Sequence, residues 1–122
     1  MILADTSVWI DHFRSANHEM HRLLSGGQIV MHPFVVAELS LGSLRDRAKT
    51  MRYLDLLPRV RAAQLGEVRQ MIEARALYSR GIGLTDAHLI AASFLNPPTR
   101  LWTRDKRLRT VAESLGVHAR LP

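Results

Sequence analysis

The 122-residue chain has no cysteine. Disulfides and thiolate metal sites are therefore excluded, and the absence fits a reducing compartment. It has no basic leader either. The opening MILADTSVWIDHF carries Asp5 and Asp11 where a secretory signal would carry positive charge and a long apolar core. No apolar run approaches the roughly 20 residues of a membrane helix. These absences together predict a cytoplasmic protein. No internal repeat, linker or low-complexity segment interrupts the chain, so a single domain over residues 1–122 is expected. Acidic side chains are in short supply, 11 against 17 Lys and Arg, which leaves a formal charge of +6.

What is present is an ordinary apolar fraction, 47%, enough for a core without covalent staples. The positive balance points to a polyanionic partner, most commonly a nucleic acid.

The apolar pattern alternates between short strands and helices. Residues 1–4 form an apolar run that stops at Asp5-Thr6-Ser7, a strand followed by a helix start. A helix through Val8, Trp9 and Phe13 follows, then a second over 17–25 that ends at Gly26-Gly27. Residues 28–31 read as a second strand. Pro33 suits the first turn of a helix that runs to about Gly42. Residues 44–57 (Leu44, Ala48, Met51, Leu54) and 64–79 (Leu65, Val68, Ile72, Ala76) have helical spacing, with arginines on much of the opposite faces. Residues 80–83 break the chain before a strongly apolar helix from Thr85 to Leu95, closed by Asn96-Pro97-Pro98. Residues 101–103 predict a third strand, followed by a helix through Leu108, Val111, Ala112 and Leu115. Residues 117–119 are a candidate fourth strand. Strands alternating with helices predict an α/β fold with a parallel sheet flanked by helices.

Four acids stand out against this order. Asp5 ends the first strand, Asp105 follows the third, and Asp86 opens the apolar helix. Ligands of open parallel sheets bind outside the carboxyl ends of the strands. Each of the three also has a local use, since Asp is a favoured helix cap and suits a first turn. Glu38 lies in PFVVAELS, an otherwise apolar helical stretch, and a buried carboxylate there would need a counter-charge. Arg45 is a candidate partner close by in sequence. Four carboxylates drawn together repel one another, and a divalent cation is the natural neutraliser. Oxygen-only ligation selects Mg²⁺ or Mn²⁺. Thr6, Ser7 and Thr103 put hydroxyls beside two of the acids, where they can orient carboxylates or serve ordinary turns and caps.

The six histidines include no HExxH pattern and are expected to be structural. Trp9 and Trp102 fit core positions. A phosphatase of the haloacid dehalogenase type would place a second acid two residues after Asp5, where Ser7 stands. A receiver domain would need its acceptor at the end of a central strand, whereas Asp55 falls in a helical pattern.

Four segments in order resemble the PIN-domain family, and within it the VapC-like toxins: ILADTSVWIDHFR, PFVVAELSLG, YSRGIGLTDAHLIAASFL and LWTRDKRLRTVAESLGV. The resemblance spans nearly the whole chain and implies a three-layer α/β/α PIN-like domain with a short, mainly parallel sheet. It implies a ribonuclease that hydrolyses RNA by metal-activated water, using Mg²⁺ or Mn²⁺. It assigns Asp5 and Asp86 as the direct metal ligands, and Glu38 and Asp105 to a second ion or the water network. Thr103 matches the hydroxyl residue two before the last acid. It further implies a homodimer and a cognate antitoxin protein as partner, with the helices of residues 44–79 as contact surfaces. Two other readings stand beside it: a catalytically silent RNA- or protein-binding module on the same fold, and a phosphoryl-handling α/β protein.

Overall fold

A computed structural model describes residues 1–122. Three strands, β1 (Ile2–Ala4), β2 (Ile29–Val30) and β3 (Arg100–Trp102), form a sheet in the order β2-β1-β3. Both pairings are parallel, with Leu3 opposite Val30 on one side and Leu101 on the other. The first strand is thus central, and its side chains must be apolar on both faces; Leu3 and Ala4 are fully buried. Seven helices complete the chain: α1 (Thr6–Arg14), α2 (His18–Ser25), α3 (Pro33–Ser40), α4 (Arg47–Leu56), α5 (Leu65–Ala74), α6 (Leu84–Leu95) and α7 (Lys106–Ser114). This is the expected α/β architecture.

The core is one cluster of 24 buried residues running through the sheet, α1, α3, α6 and α7. Trp9 and Trp102 are both wholly buried in it, as their patterns predict. Burying a side chain of this kind contributes roughly 1.5–3 kcal/mol. A smaller cluster of Ala63, Val68, Ala87 and Ala91 joins α5 to α6. Small residues there let the two helices approach closely.

Several boundaries differ from the sequence pattern. The helix expected over 44–57 begins only at Arg47, because Asp46 takes a left-handed conformation (φ 44°). That expected over 64–79 stops at Ala74; Ala76 and Ser79 are left-handed (φ 52° and 61°). Leu77 nevertheless turns inward and is buried, so the apolar spacing persisted beyond the helix. The candidate fourth strand reduces to a single bridge between Leu101 and His118. Before α6, Gly81 has φ 78°, and a Cβ there would lie 2.7 Å from the Arg107 side chain. Glycine permits both the turn and that approach.

Candidate active site

The chain leaves the carboxyl end of β1 at Asp5, that of β3 at Thr103 and that of β2 at Met31-His32. The sheet therefore delivers three segments to one edge. The Asp5 backbone N–H donates to the Trp102 carbonyl at 2.9 Å, which continues the β1–β3 ladder one residue further and fixes Asp5 beside Thr103.

Asp5 is buried, with 5% of its surface exposed, and its carboxylate is surrounded by donors. Ser7 Oγ donates to Oδ1 at 2.5 Å and the Val8 N–H to the same oxygen at 3.2 Å. Thr103 Oγ1 donates to Oδ2. Asp5 is thus the N-cap of α1, the local use open to it, and is also anchored from across the sheet. Burial pushes its pKa above the usual carboxylate range, against the opposing pull of the Ser7, Thr103 and Val8 hydrogen bonds.

Thr103 is fully buried and bonds in two directions. It donates to Asp5 and accepts the Asp105 N–H at 3.0 Å. Asp105 caps α7 by accepting the Leu108 N–H on Oδ1 at 2.9 Å, while the residue itself is exposed. Asp86, half-buried in the first turn of α6, accepts the Gly83 N–H on Oδ2 at 3.0 Å. Its pKa is raised, first by desolvation and then by the negative fields of Asp105, Asp5 and Glu38. Asp86 thus lies within Coulombic range of each of the other three acids.

Glu38 corrects an expectation. It is exposed rather than buried, because α3 turns Val35, Val36 and Leu39 to the core and Phe34, Ala37 and Glu38 away. Its partner is Thr6, whose Oγ1 donates to Oε1 at 2.8 Å, and no ion pair joins it to Arg45. The segment is apolar on nearly every side, so sequence spacing alone did not mark the exposed face.

The donor set fits a hard divalent cation. It is oxygen-only and anionic, and its members repel one another. No three of these side chains are grouped closely enough to hold one ion as they stand. The fit lies in charge and donor chemistry rather than in a finished cage.

Two residues that sequence reasoning passed over sit at this edge. Arg104 donates its backbone N–H to Ser7 Oγ at 3.3 Å and its Nη1 to Asp11 at 3.0 Å. Arg109 donates Nη2 to the Thr103 carbonyl at 3.1 Å. The run Thr103-Arg104-Asp105, a cation between two site positions, was the available signal. His32 and His88 also lie behind the edge, buried as structural residues beside Phe34. The His88 and Phe34 ring centroids are 4.4 Å apart.

Residues 2–114 match the PIN domain family. Two curated relatives, both called Ribonuclease VapC32, come from Mycobacterium tuberculosis strains CDC 1551 / Oshkosh and H37Rv. Each is 40% identical over 117 residues, which cover 96% of this chain and 94% of the relative. The chain belongs to the PIN-domain family, among its VapC-like members.

Proposed function

We propose that this protein is a metal-dependent endoribonuclease, the toxin of a toxin–antitoxin pair, acting in the cytoplasm through Asp5, Glu38, Asp86 and Asp105. The carrying observation is the Asp86 carboxyl, half-buried and in the negative fields of Asp105, Asp5 and Glu38. Likeness to proteins named ribonuclease over nearly the full chain supports the choice of RNA as substrate. The reaction is in-line hydrolysis: a water oxygen bonds to phosphorus, the opposite P–O bond breaks, and the leaving oxygen takes up a proton.

Asp5 and Asp86 are the proposed direct ligands of Mg²⁺ or Mn²⁺. Ser7, Thr103 and the Val8 N–H hold Asp5 in one orientation, and the Gly83 N–H holds Asp86. A bound cation supplies Lewis acidity towards the phosphodiester and its leaving oxygen. Thr103 positions Asp5 rather than touching substrate. Glu38 and Asp105 each have one oxygen engaged, by Thr6 and by the Leu108 N–H. The other oxygen of each is free to order the attacking water or to help hold a second ion.

The surface suits partners as well as substrate. Ile10, Phe13, Leu39 and Leu44 line a cavity of about 640 Å³ together with Glu38, Arg14 and Arg45. Tyr53 and Leu56 on α4, and Leu65 on α5, are exposed. We assign these apolar faces to a homodimer contact and to a helical segment of the antitoxin. Light scattering of the purified chain reads the dimer directly, and a strict monomer at high concentration would remove it.

The test is cleavage of single-stranded RNA by purified protein with Mg²⁺ or Mn²⁺, with excess EDTA, and after Asp5→Asn. Cleavage should vanish in EDTA and fall by roughly 10³-fold or more in the variant. Asn still caps α1. It also removes a charge whose burial opposes folding, so the melting temperature should hold or rise. Cleavage that persists in EDTA, or full activity in Asp5→Asn, would overturn the metal-nuclease reading.

A further inference from the structure

A second polar cavity, of about 660 Å³, lies beside β3 and α7 and contains none of the four acids. Its lining includes Arg100 at the start of β3, Arg109 and Glu113 on α7, and His118 and Arg120 in the closing segment. Three arginines thus share the lining with a single acidic side chain. Two of the three arginines are tied to the backbone. Arg100 is tied by Nη1 to the Gly116 carbonyl at 2.9 Å, and Arg109 by Nη2 to the Thr103 carbonyl at 3.1 Å.

Two lining side chains hold buried nitrogens with no partner: Arg109 Nε and His118 Nε2. Arg109 Nε is always a donor. His118, 8% exposed, accepts the Arg120 N–H on Nδ1 at 3.2 Å. The neutral ring must therefore carry its hydrogen on Nε2, which makes that atom a donor too. That hydrogen bond accompanies a left-handed backbone at Arg120 (φ 58°), a conformation costly for a non-glycine residue. The two unpartnered nitrogens are closed off from solvent, so what the cavity itself offers is charge: three guanidinium-bearing side chains in its lining against Glu113, a balance that favours an anion.

The cavity is connected to the acid edge. Pro122 lines it, and the Pro122 carbonyl accepts Arg104 Nε at 3.3 Å. Arg104 in turn donates its backbone N–H to Ser7, which holds Asp5. Arg104, which also pairs with Asp11, is thus the residue that lies between the acid edge and the cavity. We propose that this cavity is a phosphate subsite for the RNA strand flanking the cleaved bond, an inference that rests on the ribonuclease reading. Carboxylates of an acidic peptide share part of this chemistry. RNA is favoured because Arg104 joins the cavity to the place where its phosphate must be attacked.

The test is binding in EDTA, so that it does not depend on cleavage. Anisotropy of labelled single-stranded RNA is measured across a salt series for wild type, Arg120→Ala and Arg120→Glu. The Arg120 side chain is exposed and makes no hydrogen bond, so both variants should melt with the wild type. Kd should rise roughly fivefold for Ala and further for Glu, and the slope of log Kd against log salt should fall by about 0.7 per lost phosphate contact. The His118 ring resonances should shift on titration with the RNA. Unchanged Kd and slope in both variants, or His118 resonances that stay put while RNA binds, would overturn the subsite. Weakened capture of the antitoxin with unchanged RNA affinity would reassign it to an acidic peptide. Wild-type RNA binding through the cavity without any cleavage in Mg²⁺ would instead refute the nuclease reading and leave the subsite standing.

Discussion

His32 and His118 are built alike and placed in opposite surroundings. Each is buried, each accepts on Nδ1 the backbone N–H two residues on, and each leaves Nε2 unpartnered. His32 follows β2 at the acid edge and is closed in by Phe34 and His88. Its pKa is driven down to about 4, chiefly by desolvation and then by His88 and Arg59. His118 lines the arginine cavity. Desolvation lowers its pKa as well, but Glu113 pulls the other way while Arg109 and Arg120 add to the lowering. The same local device is therefore a sealed strut at the carboxyl end of the sheet and a ring beside an open basic cavity along β3 and α7. The two regions also carry opposite charge, and under the proposed function a polyanion held through a divalent cation would answer both.

The largest expected effect that sharpens this contrast is on acid stability. The native state keeps His32 neutral down to about pH 4, while the unfolded chain takes up a proton near the ordinary value of 6.5. Between those values the unfolded state binds more protons, so stability rises with pH across the window. Stability is fully present above 6.5 and falls as pH drops through the window, by up to about 3 kcal/mol. Asp5 and Asp86, with raised pKa, act in the opposite sense: their protonation on acidification relieves the native state. Thermal melts from pH 7 to 4 should therefore show a shallower loss in His32→Asn than in wild type, because Asn also caps α3 but does not titrate. His118→Asn should flatten the profile less. Equal profiles for all three proteins would break the distinction between the sealed and the open histidine.

Thr103 is where the two regions meet. Its hydroxyl holds Asp5 and accepts the Asp105 N–H, and its carbonyl holds Arg109. Thr103→Val keeps the shape and the carbonyl but strands a buried Asp5 oxygen and a backbone donor. We expect a loss of about 1–3 kcal/mol in chemical denaturation and of roughly 10–100-fold in cleavage. Thr103→Ser should restore both. A Val variant as active as wild type would mean that the hydroxyl serves only the cap.

The acid edge was far more legible in sequence than the basic cavity. Asp5, Asp86 and Asp105 lie at strand ends and a helix start, positions that short-range pattern identifies and that parallel-sheet geometry gathers. Glu38 was singled out for a reason that did not hold: its helix is apolar enough to look wholly buried, yet only Val35, Val36 and Leu39 face the core. Helix ends set by left-handed residues at 46, 76 and 79 leave no trace in apolar spacing. The cavity was invisible for a different reason. Arg100, Arg109 and Arg120 come from a strand, a helix and an irregular segment. Tertiary pairing gathers them: the closing segment bridges to β3 at Leu101 and His118, and Arg109 reaches the Thr103 carbonyl. In sequence they counted merely towards the net charge.

The smallest expected effect lies on the seam between the regions. Asp11 and Arg104 form an exposed ion pair at 3.0 Å, each side chain close to two-fifths exposed. Pairs of this exposure contribute about 0–1 kcal/mol, and salt screens them. Asp11→Asn should therefore leave the melting temperature nearly unchanged. It also frees the Arg104 guanidinium and removes one negative charge beside the path from Asp5 to the cavity. RNA affinity in EDTA should then improve by roughly twofold at low salt, and the gain should disappear as salt is raised. In the double variant Asp11→Asn with Arg104→Gln the gain should be absent, since the released cation is gone. If Asp11→Asn instead weakens RNA binding, Asp11 orients Arg104 for the strand rather than competing with it. If affinity does not move at any salt concentration, the strand does not pass Arg104, and the acid edge and the arginine cavity are not joined by the substrate.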